Sequence, residues 1–265
     1  MAELSIRLFA PSLSRFTNLL MVLPIDTPPM MTEGNIHYER PMKTLFLLHG
    51  YSGNYMDWMI GSRIGELAAK YNIAVVMPSG DNSFYLNMEA SGNNYEDFIC
   101  KDLINFLRNT FGLAKVPEDT FIGGFSMGGF GAIHSGLVHP EAFGKMIGLS
   151  SALICDGIKG MKPGTHNPVA NYAYYRQTFG DLEHLDESMN NPKYVVKRRL
   201  ENGEKIQPIF MACGSEDFLV EANRDFRDFL LKNGVDVTYK ESPGVHDWNF
   251  WNEYIEPAIC WALES

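Results

Sequence analysis

The stretch Thr120-Phe121-Ile122-Gly123-Gly124-Phe125-Ser126-Met127-Gly128-Gly129-Phe130 decides how this chain reads. A short apolar run, Thr120 to Ile122, leads into G-x-S-x-G at Gly124 to Gly128, and the apolar stretch Phe130 to Val138 follows. Strand, tight turn and helix form the context in which this pattern lifts a serine to the top of a sheet. Side chains two residues before or after Ser126 would strike the neighbouring strand or helix, so glycine is required there. The start of the helix also points free N–H groups at any negative charge that develops beside Ser126.

Outward from this turn, short apolar runs alternate with helical patterns. The runs are Thr44–Leu48, Ile73–Met77, Thr120–Ile122, Lys145–Leu149, Ile209–Ala212 and Val235–Tyr239. Two further strands, Glu3–Phe9 and Arg15–Leu23, are expected to pair across a turn at Pro11 and Ser12. Between the runs, Ile64, Leu67 and Ala68 keep helical spacing, as do Ile99, Leu103, Phe106 and Leu107, and Phe226, Phe229 and Leu230. Such alternation predicts an α/β fold, a mostly parallel central sheet with helices on both faces. The rhythm breaks between Ser150 and Gln207, where a Pro-, Asn- and Tyr-rich segment reads as an insertion at about 151–206 over the active site. Residues 1–265 then read as one domain.

A serine nucleophile needs a base to take its proton and an acid to orient that base. In this kind of sheet the partners follow in the order Ser, Asp or Glu, then His, each after a later strand. Asp217 lies behind Ile209–Ala212 in Cys213-Gly214-Ser215-Glu216-Asp217, and His246 lies behind Val235–Tyr239 in Ser242-Pro243-Gly244-Val245-His246. Of the seven histidines, His246 alone passes both tests of order and strand-end position. Glu216 stays open as an alternative to Asp217. An oxyanion hole needs two backbone donors: the N–H of Met127, after the nucleophile, and the N–H of Tyr51, in the loop His49-Gly50-Tyr51-Ser52-Gly53. His49 is expected to shape that loop by a local hydrogen bond, without a catalytic role.

Composition narrows the alternatives. The 265 residues carry 22 Lys and Arg against 32 Asp and Glu, a net charge of −10, with 45% apolar and 12% aromatic residues. That acidic balance, with no basic cluster denser than Lys197-Arg198-Arg199, argues against nucleic acid as a partner. The early apolar stretch Leu19–Ile25 is far short of the ~20 residues that span a bilayer, so no membrane is expected and the reading is cytoplasmic. Four scattered cysteines suit neither a disulfide scaffold nor a metal site. No HExxH, Walker loop or G-x-G-x-x-G after a strand occurs, so neither metal nor cofactor is expected. The oligomeric state is left open.

Through Leu47-Leu48-His49-Gly50, Gly124-Phe125-Ser126-Met127-Gly128-Gly129, Gly214-Ser215-Glu216-Asp217 and Gly244-Val245-His246-Asp247-Trp248, the chain resembles the esterase D family of α/β-hydrolases. That family includes tributyrin esterases, S-formylglutathione hydrolases, feruloyl and acetylxylan esterases, and mycolyltransferases. The likeness is nearest to the tributyrin esterase branch, through Ser83-Phe84-Tyr85 and Glu216-Asp217-Phe218-Leu219. The resemblance implies an α/β-hydrolase fold, Ser126 as nucleophile, Asp217 as acid, His246 as base, and the Tyr51 and Met127 amides as oxyanion hole. The loop Tyr51-Ser52-Gly53-Asn54 lacks the cysteine usual there in S-formylglutathione hydrolases.

The function expected is therefore a serine carboxylesterase that cleaves short-chain acyl esters of small molecules through an acyl-enzyme. A feruloyl or acetylxylan esterase, an S-formylglutathione hydrolase and an acyltransferase are the alternatives, and a non-catalytic binding module is a further one that the intact Ser126, Asp217 and His246 oppose. Tyr85 and Trp248 are expected to touch substrate, although a run such as Trp248-Asn249-Phe250-Trp251 is more often core packing under the final helix. Within the insertion, Tyr172, Tyr174 and Tyr175 among Asn167, Asn171, Asn190 and Asn191 suggest a semi-polar cleft for the alcohol rather than a lipase lid.

Overall fold

The computed structural model describes residues 1–264. Among the described residues there are ten strands: β1 (Ala2–Ala10), β2 (Arg15–Leu23), β3 (Lys43–Leu48), β4 (Ile73–Pro78), β5 (Asn87–Met88), β6 (Asn93–Asn94), β7 (Thr120–Phe125), β8 (Lys145–Leu149), β9 (Ile209–Gly214) and β10 (Val237–Ser242). Eight of them form one sheet in the order β1-β2-β4-β3-β7-β8-β9-β10, and β5 and β6 pair separately. Only β2 runs against the others, pairing antiparallel with both β1 and β4. The remaining neighbours are parallel.

Side chains alternate across the central strands because successive Cβ atoms point to opposite faces. Phe46, Leu48, Val76 and Ile122 enter one apolar layer, covered by helices that include Met127–Val138 and Val220–Lys232. Leu45, Leu47, Val75 and Phe121 enter the other, covered by Ile64–Tyr71 and Trp248–Leu263. β1, at the edge, instead alternates exposed Glu3, Ser5 and Arg7 with half-buried Leu4, Ile6 and Leu8. Charges on an edge strand discourage pairing with another chain.

Several strand limits differ from the sequence reading by one to three residues, and two of these shifts have a clear local reason. β7 continues through Gly123 and Gly124, whose bare backbones pair with Leu47 and Leu48 on one side and Ile147 and Gly148 on the other. β10 starts at Val237 rather than Val235. Val235 is spent on closing the preceding helix: its N–H reaches the Leu230 carbonyl, and the Gly234 N–H reaches that of Leu231. With Gly234 at φ 70°, this is a Schellman cap, in which a buried Val235 covers the helix end.

Residues 151–206 leave the end of β8 and return to β9 through three helices, Cys155–Ile158, Tyr172–Phe179 and Pro192–Glu201. Asn171 and Asn191 cap the last two, accepting from Tyr174 N–H and Lys193 N–H. The return is fastened by Arg199, only 8% exposed. Its guanidinium donates to the Leu137 carbonyl at 2.9 Å, to Gln207 Oε1 at 3.0 Å, to the Lys205 carbonyl at 2.7 Å and to Glu204 Oε2 at 3.0 Å. Truncating it would leave buried acceptors unpaired. Arg199→Ala should therefore lower unfolding stability by about 2–4 kcal/mol, read from urea unfolding midpoints; an unchanged midpoint would refute the anchoring role.

Candidate active site

β7 ends at Phe125 and the helix Met127–Val138 starts two residues on, so Ser126 alone turns the chain. Its backbone sits at φ 55°, ψ −120°, a conformation that costs a non-glycine residue on the order of 1–3 kcal/mol. Three hydrogen bonds hold it. The Ser126 N–H donates to the Leu149 carbonyl at 2.9 Å, and its own carbonyl accepts from Ala152 N–H at 2.9 Å and Phe130 N–H at 3.1 Å. A Cβ on Gly124 would overlap the Gly128 backbone, and one on Gly128 would overlap the Leu48 carbonyl. The turn closes this tightly because both positions lack side chains.

His246 stands between the ends of the other two residues. Its Nε2 lies 3.0 Å from Ser126 Oγ and its Nδ1 lies 2.8 Å from Asp217 Oδ2. Nδ1–H donates to the carboxylate, which leaves Nε2 as the acceptor for the serine hydroxyl. Asp217 is buried, and burial works against its charge. The hydrogen bonds from His246 and from Leu219 N–H at 2.9 Å nevertheless hold its carboxyl below the usual carboxylate value. Asp217 is thus held in its ionised form beside the imidazole.

Glu216 points elsewhere. It is exposed, and its carboxylate accepts from Gly244 N–H at 2.5 Å and from the Ser215 hydroxyl at 2.8 Å. Ser215 N–H also donates to the Ser242 carbonyl and Glu216 N–H to that of Gly244. A Cβ on Gly214 would overlap Gly244. The loops carrying Asp217 and His246 are therefore clasped together, and Glu216 serves that clasp.

The loop after β3 is held from three directions. His49, 1% exposed, accepts from Gly80 N–H at Nε2, 2.8 Å away. Its proton must then lie on Nδ1, which donates to the Gly50 carbonyl at 2.8 Å. Burial lowers the pKa of this imidazole and favours the neutral form that the two bonds need. The Gly50 carbonyl belongs to the same peptide unit as the Tyr51 N–H, which in a trans peptide points the opposite way. Neither the Tyr51 nor the Met127 N–H has an acceptor among the described residues.

Tyr85 corrects an expectation. It is fully buried, its hydroxyl donates to the His49 carbonyl at 3.1 Å, and its ring lies against Gly80 and Gly131. It braces the loop from beneath and offers no face to a substrate. Its backbone and that of Phe84 are both left-handed, at φ 57° and 52°, a local strain the sequence does not announce. Trp248 is half-buried, edge-on to Trp58, Phe125 and Trp251 at centroid distances of 5.4, 4.8 and 5.0 Å. In 151–206, the polar groups expected to line an alcohol cleft are largely used within the protein. The Tyr175 hydroxyl donates to Asn167, that of Tyr174 to the Asn82 carbonyl, and the Asn190 amide to the Phe179 carbonyl.

Sequence reasoning gave Phe218 no role. Its ring packs on His246 at a centroid distance of 4.6 Å, and the buried Trp251 meets the same imidazole edge-on at 5.1 Å. Among the described residues, no group of three His, Cys, Asp or Glu side chains is placed to hold a metal ion.

The comparisons with known proteins agree with this chemistry. A family described as "Putative esterase" matches residues 28–261. An acetyl esterase of Caldicellulosiruptor saccharolyticus is 44% identical over 261 residues, 98% of each chain. Among solved structures, the fluorophosphonate-binding serine hydrolase F of Staphylococcus aureus, FphF, superposes with a TM-score of 0.85 at 30% identity, covering 100% of this chain and 99% of its own. The S-formylglutathione hydrolase FrmB of the same organism gives a TM-score of 0.82 at 30% identity, covering 99% of each chain. The chain belongs to this esterase family; it has the α/β-hydrolase fold and is a serine carboxylesterase.

The two neighbouring carboxylates make different predictions. Asp217→Asn should keep the fold but cost up to ~10⁴ in kcat, because the imidazole loses its orienting acceptor. Glu216→Gln should cost less than about tenfold, since a loop clasp survives one weakened hydrogen bond. Steady-state kinetics on both purified variants decide it, and a larger loss at Glu216 would overturn the assignment.

Proposed function

We propose that this serine carboxylesterase cleaves short-chain acyl esters of small molecules, from acetyl to butyryl as in tributyrin, with Ser126, His246 and Asp217 as its triad. Ser126 Oγ attacks the ester carbonyl while His246 Nε2 takes its proton. Asp217 holds the resulting imidazolium in register and offsets its charge. The oxyanion forms toward the amides of Tyr51 and Met127, each such donor being worth ~3–4 kcal/mol in the transition state. His246 then returns the proton to the leaving alcohol, and a water activated by the same imidazole releases the acid from Ser126.

The observation that carries the short-chain reading is how 151–206 seats on the oxyanion loop. The Tyr174 ring meets Tyr51 edge-on at 5.7 Å, and its hydroxyl is fixed on the Asn82 carbonyl at 2.8 Å. Among the described residues of the segment, Val169 and Met189 are the only exposed large apolar side chains. A lid that opens on oil needs a continuous apolar face, and this segment offers a pinned tyrosine instead. The relative named acetyl esterase supports the same reading. No helix is long and apolar enough to cross a membrane among the described residues. All four cysteines are free thiols, which suits the cytoplasmic placement that belongs to this proposal.

Each added acyl CH₂ gains ~0.8 kcal/mol only while there is pocket to bury it. Across nitrophenyl esters from acetate to palmitate, kcat/KM should peak at about two to four acyl carbons and fall steeply beyond about eight. Emulsified substrate should bring no activation. Undiminished kcat/KM at the long end would rule the reading out.

A further inference from the structure

Phe218 is 72% exposed, and Val245, next to His246, is 49% exposed. A lone exposed apolar side chain needs no explanation. These two, however, immediately adjoin Asp217 and His246 in sequence, and the Phe218 ring packs directly on His246. The Phe218 ring gains little from burial where it is, since apolar stabilisation scales with area removed from water. Its position is nonetheless fixed. Asp217 Oδ1 accepts from Leu219 N–H at 2.9 Å and the Asp217 carbonyl from Val220 N–H at 3.0 Å, so the turn around Phe218 is closed on both sides. The clasp between the β9 and β10 loops sets the same turn against His246. The result is an aromatic ring 4.6 Å from the imidazole, inclined at 49°, with most of its surface facing water.

The chemistry says which part of a substrate meets that surface. When the tetrahedral intermediate collapses, His246 Nε2 must lie within hydrogen-bond reach of the departing oxygen. The alcohol therefore leaves on the His246 side, whereas the oxyanion points to the Tyr51 and Met127 amides. A ring packed on His246 borders the alcohol and not the acyl group. We infer that Phe218 is a specificity-determining platform for leaving alcohols with a flat apolar face, either an aryl ring or the C–H face of a pyranose, which the exposed ring contacts by stacking. This rests on the esterase reading above and adds to it the class of alcohol. It also moves the alcohol site from the 151–206 amides, which are spent on internal bonds, to the β9 loop.

Acetates that differ only in the alcohol test it, because all of them pass through the same acetyl-Ser126. Phe218→Ala and the bulk-retaining Phe218→Leu would be compared with the wild type on ethyl acetate, phenyl acetate and an acetylated methyl xylopyranoside. Rapid-quench bursts would separate acylation from deacylation. Phe218→Ala should lower kcat/KM for the flat alcohols roughly 5- to 20-fold relative to ethyl acetate, with deacylation of the common acetyl-enzyme unchanged and Phe218→Leu recovering little. A loss on phenyl acetate alone assigns the platform to aryl alcohols, and a loss on the xyloside to pyranoses. An equal loss on all three esters would mean that Phe218 merely supports His246 and would overturn the proposal, as would no loss on any. Wild-type turnover of ethyl acetate checks the esterase reading separately, so a flat mutant profile counts against the platform alone.

Discussion

The left-handed backbone of Ser126 is the constraint on which the rest of the molecule depends. At φ 55° the residue is strained, and it stays there only because Gly124 and Gly128 let β7, β3 and the following helix approach without side chains between them. That approach needs the central strands to be fully buried and in register, which the two apolar layers enforce from both faces. The same turn lifts Oγ toward His246 and leaves the Met127 amide at the open end of a helix. The position of the Ser126 hydroxyl and that of the free Met127 amide thus follow from a single backbone geometry.

Around this turn, precision comes from buried polar contacts rather than from the turn itself. His49 ties two loops together: it takes a bond from Gly80, gives one to Gly50 in its own loop, and its carbonyl receives the hydroxyl of Tyr85. Glu216 does comparable work between the β9 and β10 loops. Each leaves a donor or acceptor unpaired if removed, which costs more than the bond itself contributes. Groups expected to act on substrate are instead bonded within the protein: Tyr85 braces the His49 loop, and the amides of 151–206 bond inside their own segment.

Much of this was legible in the sequence, and what was not has a physical cause. The elbow, the strand alternation and the chain order of Ser126, Asp217 and His246 are local or ordinal features, so pattern reading reaches them. What separates Glu216 from Asp217 is not local: one residue along a turn reverses the direction of a side chain, and only the Asp217 carboxylate contacts His246. Tyr85 misleads because a tyrosine beside the site suits either a buried brace or a ligand contact. Phe218 carries no pattern at all. Its meaning comes from a ring in the β9 loop lying on an imidazole in the β10 loop.

The central claim is that the strained Ser126 is the atom that carries the acyl group. The most direct measurement is to mix the enzyme with nitrophenyl acetate, quench in acid within the burst phase, and map the acetylated peptide by mass spectrometry. One acetyl group on Ser126, and none in a folded Ser126→Ala variant that has also lost turnover, is the result predicted. Acetylation at another side chain, or turnover surviving in Ser126→Ala, would contradict it.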